Sequence, residues 1–250
     1  MTTITRHIVV CAGMDRSTGA EELLDGPLDD RSTLVGNLHD LAWFNRRLGG
    51  ARLSAAALDA LAPGRAPIAV LDVGTGAADI PLALIERGRR TGRLIRVTGI
   101  DTRPEVLAAA AVVDPRITAT GELALHVGDA RSLPYPDGAF DVVHASLLVH
   151  HLEPAAARAV LTEMARVARL GVVLNDLVRG RRSWLGAWLL TRVMTRNRFT
   201  RHDAPLSVRR AYTIDEMTAL LAAAGLRIER RFDGLAGHRV ALATRRNRVA

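Results

Sequence analysis

The sequence predicts a single α/β domain built on an open, mostly parallel sheet. Three observations carry this reading. Apolar runs alternate with helical stretches, the pattern of repeated βαβ units. The runs Ile68–Val73 and Val172–Leu174 are almost wholly apolar, as expected of strands covered on both faces. The first of these strands runs into a glycine turn, Gly74-Thr75-Gly76, that opens a helix. A length of 250 residues suits one large α/β domain better than two small ones.

Taken in order, strands are expected near Ile68–Val73, Leu94–Ile100, Ala124–Val127, Phe140–His144 and Gly171–Asn175, then Arg227–Phe232 and Arg239–Ala243. Helices are expected at Ile80–Arg90, Pro104–Val112, Pro154–Ala168 and Ile214–Ala224. The last carries a capping box, Thr213 with Glu216, and stops at Gly225. Two segments stand outside the alternation. Residues 1–67 precede the first strand and contain an amphipathic stretch, Leu34–Leu48. Residues 177–212 follow the fifth strand and contain an apolar run, Trp184–Met194. Ligands of open α/β sheets lie beyond the carboxyl ends of the strands. The insertion leaves from such an end, so 177–212 is expected to cover the substrate, together with a helical N-terminal lid drawn from 14–67.

All 34 basic residues are arginine, against 26 acids, for a net charge of +8. Arginine with abundant alanine resembles the codon bias of a GC-rich genome. Charge alone specifies neither fold nor site, so an Arg-rich solvated surface is expected rather than a nucleic-acid interface. The single cysteine, Cys11, allows neither an intramolecular disulfide nor a Cys-based zinc site. The apolar stretch Ile8–Ala12 is too short for a membrane span or a signal-peptide core. A cytoplasmic protein with no membrane span is expected. Residues 1–13 are expected to be dispensable, with Met14 as an alternative start.

Chemistry concentrates at the strand ends. Gly74 and Gly76 let the backbone turn sharply and approach a ligand. A dinucleotide site would look similar, but Asp79 stands where a pyrophosphate would approach, and Asp72 before the turn suits a cationic amino group. Asp101, at the tip of Thr98-Gly99-Ile100-Asp101, can accept from both hydroxyls of a ribose. Asp129, in Gly128-Asp129-Ala130, can meet an adenine amino group. The run Phe140-Asp141-Val142-Val143-His144-Ala145-Ser146 is a fourth strand with an acid near its start.

Asp72-Val-Gly-Thr-Gly76, Gly99-Ile-Asp101, Gly128-Asp129-Ala130, Leu133-Pro134 and Phe140-Asp141-Val-Val, in this order and spacing, resemble the class I S-adenosylmethionine (SAM)-dependent methyltransferases. The stretch Leu133–Asp141 is similar to the branch that holds the ubiquinone and menaquinone C-methylases and many bacterial natural-product methyltransferases. The resemblance covers about residues 68–176. It implies a Rossmann-like, seven-stranded sheet with the last strand antiparallel, and SAM as cofactor. It further implies that Asp72, Gly74 and Gly76 line the methionine part, Asp101 holds the ribose, and Asp129 and Ala130 flank the adenine. Thr75, Asp79, Thr102 and Ala145 are expected as further cofactor-binding residues. Ala78 departs from the pattern, since many members have a third glycine there.

The acceptor is less constrained. After the fourth strand the chain reads His144-Ala145-Ser146-Leu147, unlike the Asn/Asp-Pro-Pro-aromatic motif of amino-directed DNA methyltransferases. Cytosine C5 enzymes need a cysteine there, and Cys11 is remote. Metal-dependent catechol-type enzymes carry acids after both the fourth and fifth strands. Here only the fifth has one, in Asn175-Asp176, so no metal is expected. A small phenolic, enolic or polyketide-like acceptor of secondary metabolism, methylated on oxygen or carbon, is the resulting expectation. Its base would be His150 or His151, with His202 in reserve. Adjacent positions on a helix point about 100° apart, so only one of the pair is expected to face the methyl. Asp176 would orient the base or bind a substrate hydroxyl, and Arg209 or Arg210 would hold an anionic group. A homodimer is left open. The alternatives are a non-catalytic protein keeping a SAM-binding fold and an NAD-type oxidoreductase, against which Asp79 and Asp129 argue.

Overall fold

The computed structural model describes residues 14–27 and 30–247. The expected start at Met14 and the dispensability of residues 1–13 concern a segment outside the described residues. Two helices come first, α1 (Arg31–Arg47) and α2 (Gly50–Leu61). The alternation follows: β1 (Ile68–Val73), α3 (Asp79–Thr91), β2 (Ile95–Asp101), α4 (Pro104–Val113), the short α5 (Arg116–Ala119) and β3 (Leu123–Val127). Next come β4 (Phe140–Ser146), a 3-10 turn at Val149–His151, α6 (Pro154–Val167) and β5 (Ala168–Leu177). The chain ends with α7 (Arg181–Met194), α8 (Arg198–Arg210), α9 (Ile214–Ala223), β6 (Leu226–Asp233) and β7 (Arg239–Arg246).

The seven strands form one sheet in the order β3-β2-β1-β4-β5-β7-β6. The pairs β1–β2, β1–β4, β2–β3 and β4–β5 are parallel, while β7 runs antiparallel to both β5 and β6. The strand order reverses between β1 and β4, and such a switch point opens a crevice at the carboxyl ends of the strands. The central strands are apolar because helices cover both faces. Val70, Leu71, Val73, Val142, Val143 and Val172 are all fully buried. The edge strand β3 is covered less, and Val127 is 59% exposed.

The terminal helices follow from local chemistry. Asp30 caps α1 by accepting from the Thr33 N–H, and α1 packs on α4. Asn197 caps α8 through Phe199 N–H and Thr200 N–H. The predicted capping box of α9 is present, Thr213 and Glu216 each accepting from the other's backbone N–H. In the insertion, the run Trp184–Met194 is helical, with much of its apolar surface turned to solvent. Leu185, Trp188, Leu189, Val193 and Met194 are between 37% and 73% exposed. The element that packs on the Val149–His151 turn is α8, whose periodicity turns Asp203, Ser207 and Arg210 inward.

Candidate active site

The glycine turn after β1 has the geometry a closely approaching ligand needs. Gly74 and Gly76 have φ of +68° and +52°. A Cβ on Gly74 would stand 2.8 Å from Leu148 Cδ1, whereas one on Gly76 would meet nothing within 4 Å. Ala78, at the departing position, also has positive φ, +53°, and is fully buried. The glycine common at that point therefore answers a real backbone requirement, which here an alanine meets under strain. Leu147 is a second bulky residue in the left-handed region, with φ +54° at the exit from β4.

Asp101 sits at the carboxyl end of β2, half-buried. Its carboxylate accepts from Gly76 N–H at 3.1 Å and from Arg103 N–H at 3.1 Å. Burial raises its pKa above the ordinary value despite those bonds. Thr75 is buried between these groups, and its Oγ1 has no hydrogen-bond partner. An orphaned hydroxyl, open space at Gly76 and a carboxylate at the tip of β2 together fit a cofactor with a ribose and an amino-acid tail. Asp129, beyond β3, pairs with Arg131 at 2.7 Å, with Ala130 half-buried beside it. Thr102 is exposed and Ala145 is fully buried within β4.

Asp72 and Asp79 belong to a buried polar network that the sequence did not reveal. Arg239, 4% exposed, donates from Nε to Asn175 Oδ1 at 2.7 Å, and Asn175 Nδ2 donates to Ser54 Oγ at 2.7 Å. Ser54 Oγ lies 2.7 Å from His144 Nε2, and His144 Nδ1 lies 2.5 Å from Asp72 Oδ1. With the proton on Nδ1, every donor in this chain points from the guanidinium toward Asp72, so the bonds polarise one another. A second branch runs from Arg239 Nη1 to Asn45 Oδ1 at 2.6 Å, and from Asn45 Nδ2 to Asp79 at 3.3 Å. Burial pushes Arg239 down to about 10 and raises Asp79. Gly50 is required beside this network, since a Cβ there would stand 2.5 Å from Arg239 Nη1.

The acceptor side is organised by Asp176 at the end of β5. Its Oδ2 accepts from Val149 N–H at 2.9 Å and His150 N–H at 3.2 Å, while Oδ1 lies 2.6 Å from His150 Nδ1. Burial would raise this carboxyl, but His150 and the backbone donors hold it below the ordinary value. Asp176 thus both caps the turn and orients the imidazole. His150 and His151 do not diverge as expected. A tight 3-10 turn leaves their rings 4.3 Å apart and tilted by 34°. Glu22, upstream of α1 and 4% exposed, faces both: its carboxylate oxygens stand 3.9 Å from His150 Nε2 and 3.8 Å from His151 Nε2. Burial drives Glu22 up to about 7.

Two further candidates are placed elsewhere. His202 is half-exposed and pairs with Asp203 at 2.8 Å. Arg209, seven residues on, shares that outer face of α8 and is exposed. The inward guanidinium is Arg210, which donates to Asp25 at 2.9 Å and to the His151 carbonyl at 2.7 Å. Helix phase, not composition, decides between the neighbouring arginines.

The comparisons agree with this architecture. Residues 70–171 match the family described as "Methyltransferase domain", and the sheet around them has the seven-stranded form with an antiparallel last strand expected of class I SAM-dependent methyltransferases. SAM is the cofactor that goes with this class. An uncharacterized methyltransferase of Synechocystis sp. is 30% identical over 122 residues, 48% of this chain and 50% of that protein. The demethylmenaquinone methyltransferase of Thermus thermophilus is 40% identical over 84 residues, 33% of this chain and 35% of that one. The chain thus spans half or less of the length of these relatives. A family 2 O-methyltransferase from Planctomyces limnophilus, solved with apigenin, superposes with a TM-score of 0.64 over 88% of this chain and 62% of that one. At 19% identity it supports the fold. No helix among the described residues is long and apolar enough to cross a membrane.

Proposed function

We propose that this protein transfers the methyl group of SAM to a small phenolic, enolic or polyketide-like acceptor, with His150 as the base that removes the acceptor's proton. The observation that carries the reading is the buried His150–Asp176 pair at 2.6 Å, next to the turn whose Leu148 covers Gly74. SAM supplies an electrophilic methyl on an already activated sulfonium, so the protein has to align the nucleophile and exclude water. Asp176 accepts the Nδ1 proton of His150 and leaves Nε2 free to take a proton from a hydroxyl. The negative charge of Asp176 then stabilises the imidazolium that forms. Asp101 and the Gly74–Gly76 turn would hold the cofactor, and Thr75 Oγ1 would gain a partner. Segment 14–27 and α8 would cover the acceptor, as the ties from Leu23 N–H and Leu24 N–H to Asp203 suggest.

The expected acceptors are tested with SAM labelled on its methyl group and a panel of phenols, enols and polyketides. Label in an acceptor, lost in His150→Ala, supports the reading. Label transfer that is undiminished in His150→Ala contradicts the assignment of the base.

A further inference from the structure

The Glu22–His150–His151 cluster holds more than a base needs. Carboxylate-to-imidazole separations of 3.8 and 3.9 Å are too long for hydrogen bonds. Glu22 Oε1 is buried with no hydrogen-bond partner, a costly state for a carboxylate. One donor atom from each of the three residues lies within 4.8 Å of the others.

We propose that Glu22, His150 and His151 are the protein ligands of a divalent transition-metal ion, with Asp176 and Asp25 orienting the two imidazoles from behind. Ligand atoms about 2.1 Å from a shared ion stand roughly 3.0–3.4 Å apart. The two carboxylate–imidazole gaps therefore need to close by about 0.4–0.9 Å. Each imidazole already has its Nδ1 engaged, His150 by Asp176 at 2.6 Å and His151 by Asp25 at 3.1 Å. A carboxylate on the far nitrogen fixes the tautomer that leaves Nε2 as a lone pair, the arrangement found behind most metal-bound histidines. Both Nε2 atoms point to the same carboxylate.

The charges also agree. Glu22, Asp25 and Asp176 supply three negative charges, and Arg210 supplies one positive charge near them. Arg210 Nη1 approaches Glu22 Oε1 only to 3.6 Å, because its closer bonds are to Asp25 and the His151 carbonyl. Two imidazoles and one carboxylate suit zinc, iron, cobalt or nickel rather than magnesium or calcium. Glu22 arrives from 128 residues upstream of His150, so the residues that follow the fourth strand do not by themselves announce a metal site. An ion bound there would occupy the lone pair that the base reading gives to His150 Nε2; three protein ligands leave a position for an acceptor oxygen, whose pKa the ion would lower, and in the loaded protein this would take over the deprotonation. That last role rests on the methyl-transfer reading; ion binding does not.

The test uses the full chain, treated with a chelator and titrated with Co(II) and, separately, Zn(II). The expected result is one ion per chain, with a visible ligand-field absorption for Co(II). Glu22→Gln and His151→Asn should each lower affinity at least tenfold, with an unchanged far-UV circular dichroism spectrum. Asp25→Asn, whose side chain is 37% exposed and so tolerates replacement, should lower it about 10–100-fold. Absence of stoichiometric binding by the folded wild type overturns the proposal, as does binding that both Glu22→Gln and Asp25→Asn leave intact. Metal binding without methyl transfer contradicts the proposed function alone. Methyl transfer by a chain that binds neither ion contradicts the metal site alone.

Discussion

The Nδ1 atom of His150 lies 2.6 Å from Oδ1 of Asp176, and both side chains are buried. The contact joins the ends of β4 and β5 at the point where the sheet opens. Asp176→Asn keeps an acceptor for the backbone N–H groups but removes the charge behind the imidazole. It is expected to lower kcat by about 10²-fold or more while SAM affinity stays nearly constant. A pH–rate profile separates this positioning role from a structural one, because the variant's profile should shift. An unshifted profile with wild-type kcat would remove Asp176 from the chemistry.

Asp101→Ala is expected to weaken SAM binding by roughly 1–3 kcal/mol through loss of charge-assisted hydrogen bonds. The same carboxylate ties down Gly76 and Arg103, so Asp101→Asn serves as the comparison that keeps an acceptor. Calorimetric titration checks both. Wild-type affinity in Asp101→Ala would exclude this residue from the cofactor site.

Asp79 gives a prediction of defined sign. Burial raises its folded-state pKa above 3.8, against the donors Asn45 and Arg239. The fold therefore favours the protonated acid. Its contribution to stability is present below the unfolded pKa and is lost as pH rises through the raised folded value. Asp79→Asn, neutral throughout, should gain stability relative to wild type as pH increases above about 4. Denaturant unfolding across pH measures this. Parallel stability curves for the two proteins would show that Asp79 carries no such shift.

Arg239 holds Asn175, Asn45 and Ser146 in one buried network. Arg239→Met strands those acceptors and leaves Asp79 without its nearby cation. A loss of about 3–5 kcal/mol in unfolding free energy is expected. A loss below about 1 kcal/mol would mean that water or a rotated amide replaces the guanidinium readily.

The parts of the molecule that were legible in the sequence are those encoded locally. β1 was bounded correctly because its apolar run stops at a glycine turn, and the start of α9 because its capping box is contiguous. Asp101 and Asp176 stood out in the sequence because each acid was expected at a strand's carboxyl end, and the structure places them at the ends of β2 and β5. The buried network was not legible. Ser54 and Asn175 are 121 positions apart and meet only when α2 packs on β5. Glu22 was missed because segment 14–27 has no periodicity to place it. The choice between Arg209 and Arg210 depended on the phase of α8, which no periodic apolar stripe announces in Arg198–Arg210. The His150–His151 pair was expected to diverge because an α-helical angle was assumed where a 3-10 turn forms.

Calorimetric titration of the full chain with SAM, and then with NADH, tests most directly whether the carboxyl edge of β1, β2 and β4 is a SAM site. One SAM should bind per chain, weakened in Asp101→Ala, with no heat of binding from NADH. Saturable NADH binding in place of SAM, or binding of neither, would contradict the account.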